Sequence, residues 1–174
     1  RLLLVDKPDA TQAYFVYGVP GISKSAPETP AAQVMNTLFG GRFTSWLNTE
    51  LRIKRGLTYG ARSSFQAWRR GGVFTISSYT RNEKIGEMLA LTMELIKKGR
   101  TEGFTSTETE SARNYILGQF PPTLETLAAR ARAYTDLEFY GLGLDFYGKL
   151  MQSVTGMNPD SLNKFAQRIL LPDD

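Results

Sequence analysis

The strongest constraint on the fold is the order of the segments: every strand-like stretch lies before Asn82, and from there the sequence reads only as helix. Residues 2–5 are a short apolar run closed by the turn cluster Asp6-Lys7-Pro8-Asp9. Residues 12–19 are rich in Tyr, Phe and Val and end at Pro20 and Gly21, so the two runs are expected to pair as a hairpin. Residues 58–68 and 73–79 are two further strands, turned on Arg69-Arg70-Gly71-Gly72. Between these pairs, Ala31, Val34, Met35 and Leu38 fall at helical spacing behind Glu28 or Thr29, until Gly40-Gly41 interrupts. A second helix over 44–54 sets Phe43, Leu47 and Leu51 on one face and pairs Glu50 with Lys54, and Gly56 ends it.

The later helices are equally legible. Asn82 caps one that turns Ile85, Met88, Leu89, Thr92 and Leu95 or Ile96 inward. Thr105-x-x-Glu108 is a capping box opening the next, with Ala112, Tyr115, Ile116 and Phe120 inward, and Pro121-Pro122 stops it. Another begins at Thr123 or Glu125 and runs through Phe139, followed by shorter helices over 145–154 and 159–169. Strands first and helices last argue for one α+β domain over residues 1–174. The expectation is a mainly antiparallel sheet, mixed pairing left open, with four or more strands and helices covering one face. The other face is expected to be half-open and polar, available to solvent, a ligand or another domain. The chain starts on a strand-like run and stops at Asp173-Asp174, so it reads as a piece of a longer protein or the partner of a separate subunit. Any targeting segment would then lie outside it, and both the bacterial periplasm and the cytoplasm suit it.

Composition removes whole classes of chemistry. The 174 residues include no histidine and no cysteine. Catalytic zinc is held by His with a carboxylate or thiolate, so no such site can be built here, nor can a Ser-His-Asp or Cys-His arrangement. The net charge of +4, from 21 basic and 17 acidic residues, is spread along the chain. Its densest cluster, Arg52, Lys54, Arg55, Arg62, Arg69 and Arg70, comes without a nucleic-acid recognition motif and reads as a solvated face. No stretch approaches the roughly 18 consecutive apolar residues of a membrane span.

The informative run is FGGRFTSWLNTELRIKRGLTYG, residues 39–60. On its residues alone it is a glycine-broken helix pair leading into a strand, in which Gly40 and Gly41 permit close packing and Arg52 is a solvated cation. The run resembles the glycine-rich, LR-x-x-x-GL-x-Y segment in the C-terminal halves of insulinase-family (pitrilysin-type, inverzincin) zinc metallopeptidases. Asp6-Lys7-Pro8 before Gln12 looks like that family's opening strands. LGQFPPTLE over 117–125 is similar to its F-P-x-x-L-E helix break, and residues 159–173 to its closing helix.

The resemblance implies half of a clam-shell. In such enzymes one domain binds zinc through a His-x-x-Glu-His motif on a helix, with the Glu as general base. The inactive, C-terminal-type domain supplies an Arg and a Tyr seven residues apart, positions matched here by Arg52 and Tyr59. By that resemblance, Tyr59 aims its hydroxyl at the developing oxyanion and Arg52 holds the substrate backbone, with Gly40, Gly41 and Gly56 supporting the chamber wall. The Arg and Tyr would bracket Gly56-Leu57, the Tyr at the start of a strand. No metal is expected in this chain; zinc, a homologous peptidase domain or subunit, and a peptide substrate would lie opposite it. The sequence departs from the family at Trp46 and Ile53, where Arg and Glu are common. The expected function is therefore a non-catalytic, substrate-binding domain of a zinc-dependent metalloendopeptidase. The alternatives are a pseudo-peptidase that serves only assembly and a basic binding module.

Overall fold

The computed structural model of the chain describes residues 7–171. Three strands, β1 (Gln12–Pro20), β2 (Arg62–Trp68) and β3 (Gly71–Arg81), form an antiparallel sheet in the order β1-β3-β2. β2 and β3 make the expected hairpin, and β1 joins the far side of β3 with Tyr14 opposite Tyr79. The expectation of four or more strands is not borne out: three are present among the described residues, all antiparallel. The strand expected at residues 2–5, and its hairpin with β1, lie outside the described residues.

The sheet is two-faced because its side chains alternate. Along β3, Phe74, Ile76, Ser78 and Thr80 are buried. The intervening Thr75, Ser77 and Tyr79 are only half-buried, and Tyr14 and Val16 of β1 stand out to solvent. Helices cover the buried face: α1 (Thr29–Asn36) and α2 (Ile85–Thr101) meet the strands, α3 (Ser106–Gln119), α5 (Phe146–Thr155) and α6 (Pro159–Ile169) pack on α1, and α4 (Leu127–Tyr140) contacts chiefly the turn over 121–124.

α1 lies at the centre, touching β2, α3, α5 and α6, which is why Ala31, Ala32, Val34 and Met35 are all buried. Its Pro30 sits in the first turn, where a missing N–H leaves nothing unsatisfied. Phe39, Leu47, Leu51, Phe74, Ile76, Met88, Ile96 and Leu162 complete the apolar centre. Removing side chains of this size from water contributes about 1.5–3 kcal/mol each.

The expected cap at Asn82 is not made, since its amide donates to the Ala10 carbonyl and α2 has no side-chain cap, but other local signals are read faithfully. Thr105 accepts from the Glu108 N–H at 3.2 Å while Glu108 accepts from the Thr105 N–H at 2.8 Å, the complete capping box. Lys54 pairs with Glu50 at 2.6 Å, and Gly56 takes a positive φ. The differences are at helix surfaces. Leu89 and Tyr115, expected inward, are exposed, as is Phe43. For Leu89 and Tyr115 helical spacing marks an apolar stripe wider than the surface the fold offers it, whereas Phe43 lies in a turn ahead of the helix.

The segment expected as a helix over 44–54 is distorted as well. Thr37–Gly41 and Asn48–Lys54 are π-helical, wound wider than an α-helix. Such windings break the regular hydrogen-bond ladder and are frequent at functional positions.

Candidate functional site

The site begins with two glycines. A Cβ on Gly40 would collide with the Ser63 backbone nitrogen, and would come within 2.6 Å of Leu47 Cδ1. A Cβ on Gly41 would sit 2.6 Å from Asn36 Nδ2. The bareness of Gly40 lets the π-helical turn press onto the start of β2, and that of Gly41 lets it fold back on Asn36 at the end of α1. The second π-helical turn then carries Arg52, and Gly56, at φ +61°, reverses the chain behind it. An L-residue with a side chain rarely adopts that φ, so glycine is required by conformation here, not by space. The Leu57 N–H returns to the Leu51 carbonyl at 2.9 Å and closes the turn.

The loop after it is held by side chains. β2 starts at Arg62, not near Thr58, so Tyr59 stands on a loop and not at the start of a strand. Thr58 Oγ1 donates to the Gly60 carbonyl at 3.1 Å and accepts from the Gly60 N–H at 3.2 Å. Ser78 of β3 donates to the same carbonyl at 3.0 Å, and Asn48 Oδ1 accepts from the Ala61 N–H at 3.2 Å. Thr80 donates to the Leu57 carbonyl at 2.6 Å. Backbone groups that a longer strand would have paired in the ladder are thus satisfied by Thr58, Ser78, Asn48 and Thr80, all four buried.

This frame leaves Tyr59 81% exposed, with no hydrogen-bond partner among the described residues. The Arg52 guanidinium lies 4.8 Å from the centre of the Phe43 ring, and no carboxylate among the described residues pairs with it. Both side chains line one cavity of about 450 Å³, together with Gly56, Thr58, Tyr79 and Arg81. Arg52 and Tyr79 also line a neighbouring cavity of about 610 Å³ over the open sheet face. The two cavities form one trough. Of the residues expected at the site, Arg52, Tyr59 and Gly56 are brought together; Gly40 and Gly41 stand behind, packing the turn.

Trp46 turns away from the trough. Its ring packs 4.6 Å from that of Phe104, and its Nε1 donates to Glu108 at 2.7 Å. Ile53 is exposed next to Arg52. Tyr14 and Tyr79, both lining the trough, escaped sequence reasoning, and Arg62, also in its lining, was read only as part of a solvated basic face. A signal existed for the first: Tyr14 and Val16 alternate with Phe15 and Tyr17 in β1, which marks two faces without saying what the outer one meets.

The donor set does not fit a metal. Beyond the missing His and Cys, no group of three or more Asp and Glu among the described residues could hold an ion. No helix among them is long and apolar enough to cross a membrane.

Comparisons with known proteins bear on the family and the fold. The chain is 28% identical over 90% of its length to "Non-peptidase homolog YmxG" of Helicobacter pylori, of which it covers 37%. It is 24% identical over 91% of its length to "Uncharacterized zinc protease SCO5738" of Streptomyces coelicolor, covering 35% of that protein. The chain thus spans little more than a third of the length of these two relatives. Its fold superposes with a TM-score of 0.88 and 25% identity on the crystal structure of a peptidase M16 inactive domain from Pseudomonas fluorescens, over 94% of this chain and 39% of that one. Residues 2–116 match the family model described as the peptidase M16 inactive domain, and the chain belongs to that family of zinc metallopeptidases as its inactive-domain type.

Proposed function

We propose that this chain is the substrate-binding, non-catalytic domain of a zinc-dependent metalloendopeptidase, presenting Arg52 and Tyr59 to a zinc site in a homologous partner domain. One observation carries the reading: Arg52 and Tyr59 line the same solvent-open cavity, and neither is tied up by an ion pair or side-chain hydrogen bond among the described residues. A scaffold has no need of two free donors facing one cavity, Arg52 on a π-helical turn and Tyr59 on a loop braced by four buried polar side chains.

The chemistry assigned to each follows from its type. The Tyr59 hydroxyl is a donor that can meet negative charge growing on a carbonyl oxygen as water attacks. A donor pre-set for that charge in a water-poor chamber contributes about 3 kcal/mol to lowering the barrier. The Arg52 guanidinium, planar and permanently charged, grips peptide carbonyls on either side of the scissile bond. Zinc, bound in the partner, would supply the activated water, and this chain's part is to orient and stabilise.

The test is Tyr59→Phe in the complete protein, assembled with its zinc-bearing half. Turnover of a peptide should fall about ten- to a thousand-fold with zinc content unchanged. Undiminished activity would remove Tyr59 from the mechanism. The alternative, less favoured, is an assembly subunit without turnover; "non-peptidase homolog" is the name of the Helicobacter pylori relative and not a property of this chain. That alternative requires that no His-x-x-Glu-His motif stand in the rest of the chain or in a partner subunit, which sequencing either decides.

A further inference from the structure

The trough is charged in one direction only. Its larger cavity, about 610 Å³, is lined by Arg52, Arg62, Tyr14, Tyr79, Ser77 and Asn48 among others, and by no Asp or Glu. The smaller cavity adds Arg81, which is already paired with Glu83 at 3.3 Å, and again no carboxylate. Arg62 is different. Its Nε donates to Ser77 Oγ at 3.4 Å, and no carboxylate among the described residues pairs with it. One edge of the guanidinium is therefore steered by β3 while both terminal nitrogens keep their donors free. Guanidinium forks of this kind match a carboxylate with two parallel hydrogen bonds.

The floor beside Arg62 is aromatic. Tyr14 and Tyr79, opposite each other in the β1–β3 register, stack with ring centres 5.1 Å apart and planes inclined at 25°. Tyr14 is 73% exposed, so the pair offers an apolar surface to a guest while its hydroxyls remain free to donate. Arg62, Tyr14 and Tyr79 share the open sheet face, and Arg52 links that face to the Tyr59 cavity. A peptide held at Arg52 and Tyr59 would lay a neighbouring part over this floor.

We infer that the open sheet face is a subsite for a carboxylate of the bound peptide, an acidic side chain or a free C-terminus, with Arg62 as the specificity-determining residue. The inference rests on the peptide-binding reading of the trough and adds the class of peptide it prefers. A lysine or arginine side chain is disfavoured there, because two uncompensated guanidinium groups repel it.

The test is equilibrium binding to the complete protein with zinc removed by chelation, read by fluorescence anisotropy of labelled short peptides at low salt. Three probes separate the sources of charge: an amidated peptide with one internal Glu, its amidated Gln counterpart, and the Gln peptide with a free C-terminus. At least one carboxylate peptide should bind about fivefold or more tightly than the neutral one. Arg62→Gln should erase that advantage, and Arg62→Glu should reverse it towards an otherwise identical Lys peptide. Equal binding of all three probes, or an advantage that survives in Arg62→Gln, overturns the subsite. A single-stranded oligonucleotide that outcompetes the Glu peptide overturns it as well. Because turnover is not read, loss of the peptidase reading shows separately: a preference without zinc-dependent cleavage sinks only the catalytic role, and cleavage without a preference sinks only the subsite.

Discussion

Glu108 shows how one side chain serves a helix end and the core together. Oε2 completes the capping box with Thr105, while Oε1 accepts from the Trp46 indole at 2.7 Å. Burial alone pushes the carboxyl's pKa up. The Thr105 N–H, the Trp46 indole, the Thr105 hydroxyl and the Lys98 ammonium outweigh that and hold it below the usual carboxylate range. A carboxyl whose pKa is depressed on folding adds stability above its unfolded pKa of about 4.3 and loses it as pH falls through the folded value. Glu108→Gln should therefore cost about 1–2 kcal/mol at neutral pH. The deficit should shrink under acid conditions, below about pH 4, where wild type loses the same charge. Urea unfolding at both pH values measures it, and an equal deficit at both would mean that the charge plays no part.

At this scale legibility divided by range. The Thr105-x-x-Glu108 box could be read because its two partners are three residues apart, and Gly56 because a helix end needs a left-handed residue. Arg52 and Tyr59 are ordinary residues on their own and stood out only through family resemblance. The Tyr14–Tyr79 stack could not be read at all. It depends on the register of two strands whose paired positions are far apart in the chain, and no local pattern fixes that.

Among the elements, α4 stands apart. It is opened by Thr126, whose side chain accepts from the Ala129 N–H at 3.1 Å, not by Thr123 or Glu125 as the sequence suggested. It closes on Gly141 at φ +65°. Both ends are well made, yet Leu137 is its one buried residue. Leu127 is 79% exposed and Tyr134 63%. The sequence specified the helix through its caps and propensity but did not specify a burying surface for it. Helices of this length without packing are marginal in water. We predict that amide exchange in α4 outpaces that in α1, whose two ends enclose four buried residues, by a factor of at least about a hundred. Similar protection in the two helices would show that α4 draws support the described fold does not reveal. The sheet shows the converse error. Its two faces were foreseen from alternation, but β2 was drawn too long, because residues 58–61 form a loop braced by side chains; three of the expected strands stand among the described residues, and residues 2–5 lie outside them.

At the scale of the whole, the described residues make a helical layer on one side of a three-stranded sheet and an open trough on the other, and among them there is no donor set for a metal. The chain on its own should bind no stoichiometric zinc and cleave no peptide, which metal analysis after gel filtration and a fluorogenic peptide assay would check. Metal-dependent proteolysis by the chain alone would overturn its assignment as an accessory domain.

The strand order β1-β3-β2 reaches further than architecture. β1 is synthesised first, but its only neighbour among the described strands is β3, which ends at Arg81. A ribosome that has released Arg52, Tyr59 and Arg62 has delivered the trough's unpaired donors without its aromatic floor, because Tyr14 has nothing to stack on until Tyr79 emerges. The trough is therefore indivisible in the chain direction. Any fragment that stops short of β3 keeps the family's signature run and loses the surface over which a peptide would lie.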